Sequence, residues 1–139
     1  IAYPLNIVWD LDETLVSTEE IPKSFPKPGK ERILQIAGPC EVEHIDDDGL
    51  HFITRTRPFA LFVLRFFRFL PGCDQYVSTA ASVGYMNNVL ALLDPSQTTF
   101  LVASAGQSSK GKDVRDVLPL GRDPNLQRTV LVDNRASCH

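Results

Sequence analysis

The sequence predicts an α/β protein: a Rossmann-like parallel sheet with helices on both faces and a small β-hairpin insertion. Three observations carry this. Short apolar runs alternate with segments of helical period along the chain. The runs 5–9 and 129–132 pass directly into acidic residues, as buried strands do when they end at a site. An Asp-Gly turn at Asp48-Gly49 separates two further strand-like runs.

The chain has 139 residues, enough for one domain. We expect residues 1–139 to form that domain, with the insertion at about 33–56. A composition of 43% hydrophobic and 22% charged residues argues against disorder. Net charge is −3, with 14 basic and 17 acidic residues, which argues against direct nucleic-acid binding. The most apolar run is cut by Arg65 and Arg68, so no membrane span is expected. The odd, widely spaced Cys40, Cys73 and Cys138 form neither a disulfide framework nor a zinc pattern. A reducing compartment fits them. The chain starts at Ile1 without a signal-peptide pattern, so it reads as part of a longer protein.

The elements follow in order. Leu5-Asn6-Ile7-Val8-Trp9 reads as a buried strand ending in Asp10-Leu11-Asp12. Residues 17–32 are polar, carry Pro22, Pro26, Pro28 and Gly29, and read as a loop. Residues 33–37 read as a short strand, and 41–45 with 50–56 as the hairpin. Pro58 opens a helix whose apolar face is 59, 62, 63, 66, 67 and 70, ended by Pro71-Gly72. Residues 75–79 are a strand, and 82–93 a helix stopped by Asp94-Pro95. Residues 98–103 are a strand, about 112–118 a short helix, and 129–132 the last strand, ending at Asp133-Asn134. Ligands of open α/β sheets sit at the carboxyl ends of the strands, where these polar residues converge.

Asp10 and Asp12 repel each other if both are ionised, and a hard divalent cation such as Mg²⁺ relieves that. A carboxylate can also act as a nucleophile and form an aspartyl phosphate. The plain alternative is a pair of acidic strand-end residues; Asp133-Asn134 at the same edge weighs against it. Thr79 and the N–H groups after it, Ala80 first, either cap a helix or hold phosphate oxygens. Lys112, or Lys110 in the same loop, is the fixed cation available to such a site.

The segment 9–16, Trp-Asp-Leu-Asp-Glu-Thr-Leu-Val, resembles the nucleophile motif of haloacid-dehalogenase-fold phosphatases. It is most similar to the FCP/SCP-type, or NLI-interacting-factor-like, branch that acts on the RNA polymerase II C-terminal domain. Arg57-Pro58-Phe59, Tyr76 to Ala81 with Tyr85, Leu92-Leu93-Asp94, Lys112-Asp113, Leu120 to Asp123 and Val130 to Asn134 resemble further pieces of that branch, in order. The resemblance implies a Mg²⁺-dependent protein serine/threonine phosphatase with a phosphorylated protein partner and a nuclear or cytoplasmic home. It implies Asp10 as nucleophile and Asp12 as general acid and then base. It implies Thr79 and Lys112 on the phosphoryl group. It implies Mg²⁺ held by Asp10, the Asp12 main-chain carbonyl and Asn134, supported by Asp133. Tyr85 and Ile53 are expected near the peptide, Ile53 more as core. The chain departs from the branch at 103–109, where a basic and aromatic segment is replaced by small polar residues. It also stops before the branch's last strand and helix, so the resemblance implies a domain truncated at the C-terminus, with a minimal version as the alternative. The competing reading is a catalytically weak scaffold that binds a partner. Retention of Asp10, Asp12, Thr79 and Asp133-Asn134 favours the enzyme.

Overall fold

A computed structural model describes residues 5–21, 33–36, 40–106 and 128–133. In chain order its elements are β1 (Leu5–Trp9), β2 (Val16–Glu20), β3 (Ile33–Ile36), β4 (Glu41–Ile45), β5 (His51–Thr56), α1 (Ala60–Arg68), β6 (Cys73–Ser78), α2 (Val83–Leu93), β7 (Phe100–Ser104) and β8 (Thr129–Val132). They form two four-stranded sheets. The first has the order β7-β6-β1-β8 and is parallel throughout; the second has the order β2-β5-β4-β3 and is antiparallel.

The parallel sheet matches the predicted fold class. One of its two inner strands, β1, is buried on both faces, as a strand covered on both sides is. Ile7 and Trp9 face a core with Ala60 and Leu64 of α1 and Met86, Val89 and Leu93 of α2. Val8 points the other way, with Tyr76, Val102 and Leu131. Both described helices therefore lie on one face. The expected helix at about 112–118 is outside the described residues, as are Lys110, Lys112, Asn134 and Cys138. Cys40 and Cys73 are free thiols.

One buried polar group ties this layer together. Trp9 Nε1 donates to Gln75 Oε1 at 2.9 Å, and Gln75 Nε2 donates to the Leu64 carbonyl at 3.0 Å. The Gln75 side chain is thus satisfied inside the core, where an unpaired amide would be costly. Asp94 ends α2 as expected and also starts β7. Its carboxylate accepts from the N–H groups of Thr98 and Thr99, both at 3.0 Å, and of Phe100 at 3.3 Å.

Three sequence expectations are corrected. Residues 17–20 are not loop: they belong to β2, paired with β5 from Val16↔Thr56 to Glu20↔Phe52. Their polarity fits a half-exposed strand whose pairing partner lies far along the chain. The hairpin β4–β5 is real, with Gly49 at φ 78°, but it forms the middle of a four-stranded sheet. The helix begins later than Pro58. Phe59 precedes it in a left-handed conformation (φ 66°), and the buried face runs through Ala60 and Leu64. Phe59, Phe62, Phe66, Phe69 and Leu70 are exposed. With only Arg65 and Arg68 polar in nine residues, periodicity alone leaves two candidate apolar faces. The Gln75–Leu64 bond and the small Ala60 mark the one that packs.

The orientation of α1 is testable. Leu64→Ala is expected to cost about 2–5 kcal/mol, and Phe62→Ser, at a position 70% exposed, within about 0.5 kcal/mol. Urea midpoints at unchanged slope measure both. Equal losses would put Phe62 in the core.

Candidate active site

Register decides what meets at the edge of the parallel sheet. Trp9 lies opposite Val77 of β6 and Val132 of β8. Asp10, Ser78-Thr79 and Asp133 therefore leave the sheet side by side. The Asp10 N–H extends the ladder by one bond, to the Val132 carbonyl at 2.9 Å. Asp10 is buried, with 4% of its surface exposed. Thr14 Oγ1 lies 3.5 Å from its Oδ2, the outer limit of a hydrogen bond.

The backbone then turns sharply. The Leu11 carbonyl accepts from the N–H groups of Thr14, Leu15 and Val16 at 3.2, 3.0 and 3.1 Å. Glu13 is left-handed (φ 60°), and its carbonyl accepts from Arg57 Nη1. This turn separates the two carboxylates. Asp12 leaves the sheet edge and meets α2, where the Tyr85 hydroxyl lies 2.5 Å from its Oδ1. Burial first, then the charge and hydrogen bond of Asp12, hold the Tyr85 hydroxyl well above its ordinary pKa. It therefore stays a donor.

Thr79 is almost fully buried, and its N–H donates to the Ser104 carbonyl at 3.0 Å. Its Oγ1 accepts from the Ala81 N–H at 3.2 Å, so the hydroxyl oxygen shapes the turn before α2. Ala80 is exposed on that turn. Ser82 caps α2 by accepting from the Tyr85 N–H at 3.3 Å. The β4–β5 loop reaches the same helix end: Asp47 Oδ2 accepts from the Gly84 N–H at 2.9 Å. A Cβ at Gly84 would overlap the Asp47 carboxylate, so glycine permits this approach.

Between the second sheet and the start of α2 lies an open cleft of about 370 Å³, walled by Phe52 and Tyr85 and rimmed by Asp12, Glu13, Asp46 and Asp48. The sequence pointed to Ile53 for this wall, but Phe52 lines it. Alternation along β5 is the signal that finds Phe52: it shares a face with Thr54, opposite Ile53. Thr18, His44 and Asp47 were also missed. Behind the cleft, His44 is fully buried against the rings of Phe52 and Tyr85. Burial is the main cause that lowers its pKa to about 4, opposed by Asp46 and assisted by His51. Its ring is neutral at physiological pH.

A family model described as NLI interacting factor-like phosphatase matches residues 5–139. The chain belongs to this family. Members of the family share a phosphatase description, and this chain's fold is the haloacid-dehalogenase fold. One similar structure is fission yeast RNA polymerase II CTD phosphatase Fcp1, as a variant bound to beryllium fluoride. It is 18% identical at TM-score 0.66, with 95% of this chain and 37% of that chain covered. A second, Fcp1 described as an essential RNA polymerase II CTD phosphatase, is 20% identical at TM-score 0.66, covering 95% and 38%. At these identities the likeness shows the fold. The chain spans well under half the length of those relatives' chains. A search of curated proteins finds no match. Among the described residues no helix is long and apolar enough to cross a membrane.

The buried His44 makes a pH prediction. The unfolded chain takes up a proton near 6.5 and the folded chain only near 4. Stability is therefore full above 6.5 and falls as pH drops from 6.5 towards 4, by an amount on the order of 3 kcal/mol at most. NMR titration of the His44 ring should show no protonation between pH 8 and 5. A midpoint near 6.5 would contradict the burial argument.

Proposed function

We propose that the chain is the catalytic core of a Mg²⁺-dependent protein serine/threonine phosphatase, with residues 1–139 acting as one domain and the second sheet as its insertion. The observation that carries this is the fate of the two carboxylates. Asp10 is buried at the parallel edge beside Thr79 and Asp133, while Asp12 is turned away from it onto Tyr85. Two acids in different surroundings suit two roles.

In this reading an Asp10 carboxylate oxygen attacks phosphorus, and the bond from phosphorus to the seryl oxygen breaks. Asp12 gives that oxygen its proton. Asp12, now a base, takes a proton from water, whose oxygen attacks the aspartyl phosphate. Inorganic phosphate leaves and the Asp10 carboxylate is restored. Thr79 and the Ala80 N–H orient phosphoryl oxygens. Lys112, with Lys110 as the alternative, supplies positive charge from outside the described residues.

The donor set suits a hard cation. Asp10, the Asp12 main-chain carbonyl and Asn134 offer only oxygen, with Asp133 in support, and a buried carboxylate such as Asp10 favours a compensating charge. No group of three or more His, Cys, Asp or Glu among the described residues forms a metal cage. The expected set needs only two acidic or amide side chains and one carbonyl, and Asn134 lies outside the described residues. When bound, the ion would neutralise charge on the phosphoryl oxygens.

The open cleft beside Asp12 suits a phosphorylated protein segment, with Phe52 and Tyr85 against a residue flanking the phosphate. The phosphorylated tail of RNA polymerase II is the first candidate, and a nuclear or cytoplasmic home goes with it. A scaffold would have no need to retain all of Asp10, Asp12, Thr79 and Asp133.

Hydrolysis of p-nitrophenyl phosphate should need Mg²⁺ and stop with chelator. Asp10→Asn and Asp12→Asn should each lower kcat by about 10²-fold or more. Full activity in Asp10→Asn, or metal-independent turnover, would contradict the mechanism. A folded parent without turnover would favour the scaffold.

A further inference from the structure

The Tyr85–Asp12 contact is the last link of a longer chain of hydrogen bonds. The Tyr85 hydroxyl lies 2.6 Å from Thr18 Oγ1 on β2. Thr18 Oγ1 is 2.8 Å from Thr54 Oγ1, its register partner on β5. Thr54 Oγ1 is 2.8 Å from His44 Nε2 on β4. His44 Nδ1 is 3.3 Å from Asn88 Nδ2 on α2. The chain thus leaves α2 at Asn88, crosses three strands of the second sheet and returns to α2 at Tyr85.

Its direction follows from what each group can donate. Asn88 Nδ2 also lies 2.9 Å from the Ile45 carbonyl, which can only accept. The amide nitrogen is therefore fixed on that side, and its second N–H points at His44 Nδ1. Nδ1 must be the bare nitrogen, so the ring proton sits on Nε2. His44 then donates to Thr54, Thr54 to Thr18, Thr18 to the Tyr85 oxygen, and Tyr85 to Asp12 Oδ1. Each hydroxyl gives one proton and accepts one, and no link is left with two protons or none. Reversal would need a proton on His44 Nδ1, facing the Asn88 N–H.

We infer that this one-way chain makes Tyr85 a positioning residue: it holds Asp12 Oδ1 as an acceptor, so that the proton Asp12 delivers is carried on Oδ2. The inference rests on the reading of Asp12 as general acid. When the ester bond breaks, the Oδ2–H proton passes to the leaving oxygen. The Tyr85 bond to Oδ1 persists and holds the carboxylate for the second step. Nothing in the chain needs to reorient during turnover.

The test separates positioning from mere support. Phenyl phosphate has a poor leaving group that needs a proton; p-nitrophenyl phosphate has a good one that does not. kcat/KM reports only the steps up to the first bond cleavage. Tyr85→Phe keeps the ring against His44 and Phe52 and removes the hydroxyl. Its loss in kcat/KM should be about tenfold or more greater on phenyl phosphate than on p-nitrophenyl phosphate. Thr18→Val, which cuts the chain one link further back, should show the same bias at smaller size. ¹⁵N NMR of the parent should show His44 as the neutral Nε2–H tautomer. Equal losses on the two substrates, in an active parent, would overturn this inference alone. So would an Nδ1–H tautomer at His44. A parent that turns over neither substrate would overturn the phosphatase reading and this inference with it.

Discussion

Everything in the molecule depends on how β1 is held. It is paired in parallel on both sides, and its last residue, Trp9, lies opposite Val77 and Val132. A one-residue slip would turn Ile7 and Trp9 away from α1 and α2 and move Asp10 off the edge. Core and site are therefore fixed by the same register. The Trp9–Gln75–Leu64 hydrogen bonds reinforce it from the helical face. The site inherits its precision from a rigid strand end rather than from a loop.

The second constraint is the turn from Leu11 to Val16. Asp10 and Asp12 would share a face if the strand continued. Three N–H groups gathered on the Leu11 carbonyl, with Glu13 left-handed, break that alternation. The turn also starts β2, so the antiparallel sheet begins where the site's second acid sits. Packing then places that sheet against α2, through Asp47 on the Gly84 N–H and through the rings of His44, Phe52 and Tyr85. The second sheet is thus joined to the chemistry through Asp12, and a change at Thr18 or His44 reaches the site by a defined path.

The parallel strands, the hairpin and the end of α2 were legible because each has a local cause: apolar β-branched runs, Asp48-Gly49, and Asp94-Pro95. Asp10, Asp12, Thr79 and Asp133 were legible as residues that end strands. The placing of Asp10, Thr79 and Asp133 at one edge follows from a parallel sheet in this register. Three features were hidden because their causes are not local. The Ser-Thr-Glu-Glu sequence of β2 is a strand only because β5 pairs with it. The buried face of α1 is chosen by Gln75, eleven residues from Leu64. Tyr85 reads as an aromatic pocket residue in sequence. Its hydroxyl's partners, Asp12 and Thr18, lie 73 and 67 residues away.

The account stands on Asp10 as the group that takes the phosphoryl. Rapid mixing of the Mg²⁺-loaded protein with p-nitrophenyl phosphate, quenched into borohydride, converts an aspartyl phosphate to homoserine, which peptide mass spectrometry can locate. The account predicts homoserine at position 10 and an intact Asp12. Homoserine at another position, or turnover with no modified residue, would contradict it.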